Sequence, residues 1–379
     1  MNKKIVVACD KFKGSLSAEE VCDSLKKGIL QTFKQTEIMT FPLSDGGEGS
    51  LDILKKYLSL TKIIVKTIDP IGRRLYVEYG IDNEGQAYIE TSKVCGLMLL
   101  EKDKQNPKQT STKGLGLVVL DVLQRGVKKI HLFLGGSGTS DGGAGMLSGL
   151  GFDFNDKKGQ SFDPNGGNLS EIDTINWPDV DLFNDVQFYS WCDVQIPLLG
   201  KNGSTYMFAE QKGAMKEDLF VLEGGMDHFR RLIEHKIEDT TAHLVKGAGS
   251  AGGLGFALNS VLGGKIGMGA AFFIKMTKVN LAINKADVVI TGEGSLDIQS
   301  FKGKCVGEVI FMAKKNKKNC LVVCGINKLE KSTSLKKGIS TVFTLVNGDI
   351  TLDESIVTAK DLLYKKGKEI GIMFQKTIV

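Results

Sequence analysis

Ile5-Val6-Val7-Ala8-Cys9-Asp10-Lys11-Phe12-Lys13-Gly14-Ser15 decides how the chain folds. An uninterrupted apolar run of strand length stops at an acid and a glycine, and helical periodicity follows. Short apolar runs that feed amphipathic helices mark strands buried on both faces of a parallel sheet. Five further runs repeat the pattern: Ile38 to Pro42, Ile130 to Leu134, Val288 to Thr291, Leu321 to Cys324 and Val342 to Val346. These predict one parallel sheet, with ligands expected beyond the carboxyl ends of its strands.

The intervening segments have a different grammar. Residues 66–109 alternate apolar and polar, with turns at Asp69-Pro70 and Asp82-Asn83-Glu84-Gly85, which predicts antiparallel hairpins. Residues 151–262 mix turns with a strand at Val186 to Trp191 and an amphipathic helix at Glu217 to Glu234. A chain of 379 residues exceeds what one core of about 250–300 residues usually holds. The predicted fold class is therefore α/β: a parallel, Rossmann-like (flavodoxin-like) sheet domain carrying an inserted mixed α/β domain. The sheet domain is expected over residues 1–65, 110–150 and 263–379, and the inserted domain over 66–109 and 151–262.

Composition narrows the function classes. A net charge of +5, scattered short lysine runs and 7% aromatic residues argue against a nucleic-acid surface. No stretch approaches the roughly 18 apolar residues of a membrane span, and the apolar run after Met1 is too short for a secretory signal. Seven dispersed cysteines without a C-x-x-C pair predict a reduced, cytoplasmic protein with neither structural disulfide nor zinc.

The chemistry is expected in the loops. Ser-Asp-Gly-Gly-x-Gly occurs as Ser44 to Gly49 and again as Ser140 to Gly145, and Gly292-Glu293-Gly294-Ser295-Leu296-Asp297 makes a third acidic glycine segment. Glycines at a helix start can present bare amides to phosphate while nearby carboxylates hold Mg²⁺, the parts phosphoryl transfer needs. Asp45, Glu48, Asp141, Glu293 and Asp297 are the candidate metal or proton handlers. Lys13, Lys212 and Lys304, each beside a glycine, are candidates to neutralise phosphate or a carboxylate, and Asp193 is a candidate base for a hydroxyl substrate. Gly247-Ala248-Gly249-Ser250-Ala251-Gly252 contains G-x-G-x-x-G, but no Asp or Glu lies between Ala251 and Ala286, so the ribose-binding acid of a dinucleotide site is missing. That weighs against a nicotinamide-dependent hydroxy-acid dehydrogenase; Gly249 and Gly252 can still touch phosphate or substrate. The four histidines form no acid–base constellation, and His131 reads as a core residue.

Taken in order, these segments resemble the bacterial type I glycerate kinase family. The resemblance is carried by Asp10 with Phe12-Lys13, Asp45-Gly46-Gly47-Glu48-Gly49, Gly135-Gly136-Ser137 with Asp141-Gly142-Gly143-Ala144-Gly145, Cys192-Asp193, Gln211-Lys212-Gly213-Ala214, Gly247-Ala248-Gly249 and Thr291-Gly292-Glu293-Gly294 with Asp297 and Gly303-Lys304. It implies ATP-dependent phosphorylation of D-glycerate, usually at the 2-hydroxyl with 3-phosphoglycerate as the other product, on a two-domain scaffold; with Mg²⁺ expected on the acidic loops, the reaction is placed in an interdomain cleft. In that reading Asp45, Asp193 and Lys13 are catalytic, and Gly46, Gly47, Gly136, Ser137, Gly142, Gly143 and Lys304 hold the nucleotide. Lys212, Gly249 and Gly252 hold the substrate, and Glu48, Asp141, Glu293 and Asp297 surround the metal. A kinase for another small hydroxy acid remains the alternative within the same chemistry.

Overall fold

A computed structural model describes residues 3–178 and 180–376, and these form two compact units, divided between Asp45 and Gly46 and between Met268 and Gly269. The first unit holds a five-stranded, wholly parallel sheet. Its order is Thr341–Thr344, Asn319–Asn327, Val288–Leu296, Lys3–Cys9, Thr36–Thr40. Ile5, Val7, Ile290, Leu321 and Val323 are buried against Val21, Leu25, Ile29, Leu363 and Phe374 from flanking helices. Helix Ala18–Thr32 begins at a capping box between Ser17 and Glu20, which satisfies amides that a helix start leaves open. It lies so close to helix Ala359–Lys376 that a Cβ on Gly28 would stand 2.1 Å from Tyr364 O.

One expectation is corrected here. Gly292-Glu293-Gly294-Ser295-Leu296 is strand, paired along Asn319–Asn327 as far as Leu296 and Asn327. Gly292 serves close packing, since a Cβ there would stand 2.2 Å from Val323 O. Glu293 is thereby mounted on a rigid strand instead of a loop.

The second unit holds a six-stranded mixed sheet in the order Lys265–Met268, Gln187–Cys192, Lys129–Phe133, Gln86–Glu90, Arg74–Ile81, Thr61–Ile68. The first four strands run parallel and the last two join antiparallel, as the hairpin pattern predicted. The strand expected at Ile130 to Leu134 therefore belongs to this sheet and not to the first, because its register partners are Gln86–Glu90 and Gln187–Cys192. With it residues 46–65 and 110–150 join the second unit, so the inserted portion is one continuous segment. His131 is buried, stacked on Tyr88 and Tyr189, and burial with the Lys129 charge pushes its pKa down to about 4. It is a neutral core histidine.

Candidate active site

At the carboxyl ends of the first unit's strands, acids accumulate. Asp45 follows the strand Thr36–Thr40, Glu293 lies within Val288–Leu296, and Asp297 follows directly. Asp45 Oδ1 accepts from Cys305 N–H at 2.5 Å, at the start of helix Cys305–Lys315. Asp297 caps the next turn, accepting from Gln299 N–H at 2.7 Å while its own N–H donates to Ser300 Oγ. Glu293 is buried and its Oε1 has no hydrogen-bond partner; its Oε2 lies 3.8 Å from Lys304 Nζ. Burial raises the Glu293 pKa to about 7, with the Asp45 and Asp297 charges adding to the rise and Ser300 and Lys304 opposing it. Lys13 sits exposed on the turn after the first strand, its N–H close to Gly294.

The repeated motif does two different jobs. In the second copy Asp141 is fully buried, and its carboxylate accepts from Thr112 N–H, Thr112 Oγ1, Gly143 N–H and Gly145 N–H. Gly142 N–H donates to Gly252 O. The amides of Gly142 and Gly143 expected to grip phosphate are thus committed to the protein's own oxygens, and Asp141 holds its loop together instead of presenting a free carboxylate. In the first copy the helix start is also filled from within: the Glu90 carboxylate accepts from Gly49 N–H and Leu51 N–H, both at 3.0 Å. Such a buried acid occupies the place a phosphate would take at a helix N-terminus. Sequence reasoning missed Glu90, which lies 41 residues from Gly49 in the chain.

An Asp141→Ala variant is expected to lose about 2–4 kcal/mol of stability, because several buried donors would be orphaned together. Urea denaturation measures it, and a loss below about 1 kcal/mol would refute the structural role.

The remaining glycines are explained by backbone packing. A Cβ on Gly249 would stand 2.1 Å from Pro197 O and one on Gly252 2.0 Å from Thr139 O. Gly46 O accepts from Gly135 N–H, and Gly47 packs against Gly135, so the two loops meet within the second unit. Gly136, in the left-handed region at φ 86°, faces the Glu48 carboxylate, which a Cβ there would meet at 3.0 Å.

Lys212 is the unusual cation of this unit. It is buried, yet its ammonium donates to two neutral oxygens, Ser137 Oγ at 3.1 Å and Thr139 O at 2.6 Å. Burial pulls its pKa down to about 8, with Cys95 and Asp141 opposing the fall. On the segment that receives this ammonium, Thr139 Oγ1 and Ser140 Oγ are buried without hydrogen-bond partners. Asp193 is half-buried just beyond the strand Gln187–Cys192; burial, helped by its charge, pushes the Cys192 thiol up to about 11.

Among the described residues no three His, Cys, Asp or Glu side chains are grouped to hold a metal ion. Glu48, Asp141, Glu293 and Asp297 are thus not gathered into a preformed ligand set. Glu293, with its orphaned buried oxygen, has the chemistry that suits a hard divalent cation, and Mg²⁺ commonly takes only one or two carboxylates with water and phosphate oxygens. No helix among the described residues is long and apolar enough to cross a membrane.

Residues 5–375 match the profile described as the glycerate kinase family. A glycerate kinase of Bacillus cereus is 34% identical, with 98% of each chain covered. A glycerate 2-kinase of Escherichia coli is 32% identical, with 97% of each covered. A crystal structure from Salmonella typhimurium, provisionally described as glycerate kinase 2, superposes with a TM-score of 0.78 at 28% identity and 99% coverage of both chains.

Proposed function

Because this chain belongs to the glycerate kinase family of phosphotransferases, we propose that it transfers the terminal phosphoryl group of ATP to the 2-hydroxyl of D-glycerate. The observation that carries the chemistry is the acidic group at the sheet end of the first unit, where buried Glu293 keeps an unpartnered oxygen beside Lys304. The 2-position is favoured by the relative named glycerate 2-kinase.

Phosphoryl transfer asks the protein mainly for positioning and charge stabilisation. Glu293 and Asp297 are the residues that would hold Mg²⁺, which when bound neutralises charge on the phosphate oxygens. Lys304 and Lys13 offset phosphate charge from the protein side. In the second unit Lys212 takes the glycerate carboxylate, and Asp193 accepts the hydroxyl proton, with Asp45 as the other carboxylate available for that step. Gly46, Gly47, Gly136 and Ser137 bring backbone close to the nucleotide; Ser137 also supports Lys212.

The test is ADP release by the purified protein with Mg-ATP, with and without D-glycerate. Release that requires D-glycerate and falls when other small hydroxy acids replace it supports the reading. Release that ignores D-glycerate removes it.

A further inference from the structure

Asp10 has no role in the mechanism so far, yet sheet register places it at the centre of the acidic group. Leu43 N–H donates to Cys9 O and Asp10 N–H to Gly292 O, both at 2.9 Å, so pairing on each side of the first strand continues to its end. Asp10 therefore leaves the sheet between the segment leading to Asp45 and the strand carrying Glu293.

The two aspartates are held in matching ways. Asp10 Oδ1 accepts from Lys11 N–H at 2.7 Å, and Asp45 Oδ1 accepts from Cys305 N–H at 2.5 Å. One oxygen of each carboxyl is thus anchored to backbone. The two carboxyls lie near enough to feel each other: burial, followed by the Asp45 charge, holds Asp10 well above the usual carboxylate range against the opposing Lys11. Glu293, buried and with Oε1 unpartnered, feels the same Asp45 charge.

Like charges held close together at a partly buried site are costly unless a cation or a proton lies between them. A fold that fixes both carboxyls by backbone amides, and leaves a third buried oxygen unpartnered beside them, bears that cost for a purpose. We propose that Asp10 and Asp45 form a two-carboxylate seat for a divalent cation of the Mg²⁺ class, with Glu293 Oε1 as a third oxygen available to it. Water and phosphate oxygens complete such a coordination shell, which is why no three-ligand cluster is needed beforehand. The proposal rests on the phosphoryl-transfer reading and sharpens it: Asp10 and Asp45 take the ligand place given above to Asp297, Glu293 keeps its own, and Asp193 is left as the base.

Mn²⁺, which favours the same oxygen donors, is the probe. Free Mn²⁺ is followed by electron paramagnetic resonance as it is titrated into the protein without nucleotide or glycerate, so the result does not depend on which acid is phosphorylated. The wild type is expected to bind Mn²⁺ saturably. Asp10→Asn and Asp45→Asn, which keep an acceptor for the anchoring amides, are expected to raise its Kd tenfold or more. Each variant should also lose the Mn²⁺-induced rise in Tm. Asp52→Asn, on the exposed face of helix Ser50–Tyr57, serves as the control that binds like wild type. Absence of saturable binding by the wild type, or Mn²⁺ binding unchanged in Asp10→Asn, overturns the proposal.

Discussion

Asp45→Asn is expected to lower the glycerate-dependent kcat by about 10²–10⁴, the range over which a positioned acid–base group or a lost metal contact acts. The substitution is nearly isosteric and retains the oxygen that accepts from Cys305 N–H, so helix Cys305–Lys315 keeps its anchor. It removes a negative charge that bears on Asp10, Glu293 and Cys305 together. A folded variant with depressed kcat and an undiminished melting temperature is the expected outcome. Single-turnover measurements separate loss of chemistry from loss of binding. Turnover within a few-fold of wild type would remove Asp45 from the machinery.

Lys212→Met should act on substrate binding. A charge-assisted hydrogen bond to a carboxylate contributes roughly 1.5–3 kcal/mol, so KM for D-glycerate should rise about 10–100-fold. The pH dependence gives a second signature. Only charged Lys212 attracts a carboxylate, and its pKa lies at about 8 in the folded protein. Wild-type KM should therefore climb as pH rises above about 8, whereas that of Lys212→Met should lack this inflection.

Stability moves the other way. The ordinary lysine pKa is 10.5, so between about 8 and 10.5 the unfolded chain binds more protons at this site than the folded chain. Wild-type stability should consequently gain relative to Lys212→Met as pH increases through that window. Parallel, flat differences in both KM and stability would show that Lys212 is only a packing residue.

How much of this was legible in the sequence depended on the range of the interactions. The strand Lys3–Cys9 and the helix Asp218–Ile237 were readable because their patterns are local. The strand Lys129–Phe133 was readable as a strand but not as a member of its sheet, since buried parallel strands look alike and register with Gln86–Glu90 and Gln187–Cys192 is a long-range fact. Gly292 and Gly294 suggested a loop, because the sequence does not reveal the neighbouring backbone at Val323 that makes a side chain unwelcome at Gly292.

The site divides along the same line. Residue types and their places after strands pointed to Asp45, Glu293, Asp297 and Lys304, and the fold brings these together within one unit. The doubled Ser-Asp-Gly-Gly-x-Gly could not show that Glu90 fills one helix start and Asp141 ties up the other loop. Asp10 was visible as an acid at a strand end; what gives it weight is Asp45, brought beside it by the pairing of two parallel strands.

The central claim is that this chain moves a phosphoryl group from ATP to the 2-hydroxyl of D-glycerate, and the identity of the product tests it most directly. Enolase converts 2-phosphoglycerate, but not 3-phosphoglycerate, to phosphoenolpyruvate. With Mg-ATP, D-glycerate and enolase present, phosphoenolpyruvate should appear in step with ADP, one for one. ADP release with D-glycerate but without phosphoenolpyruvate would contradict the assignment.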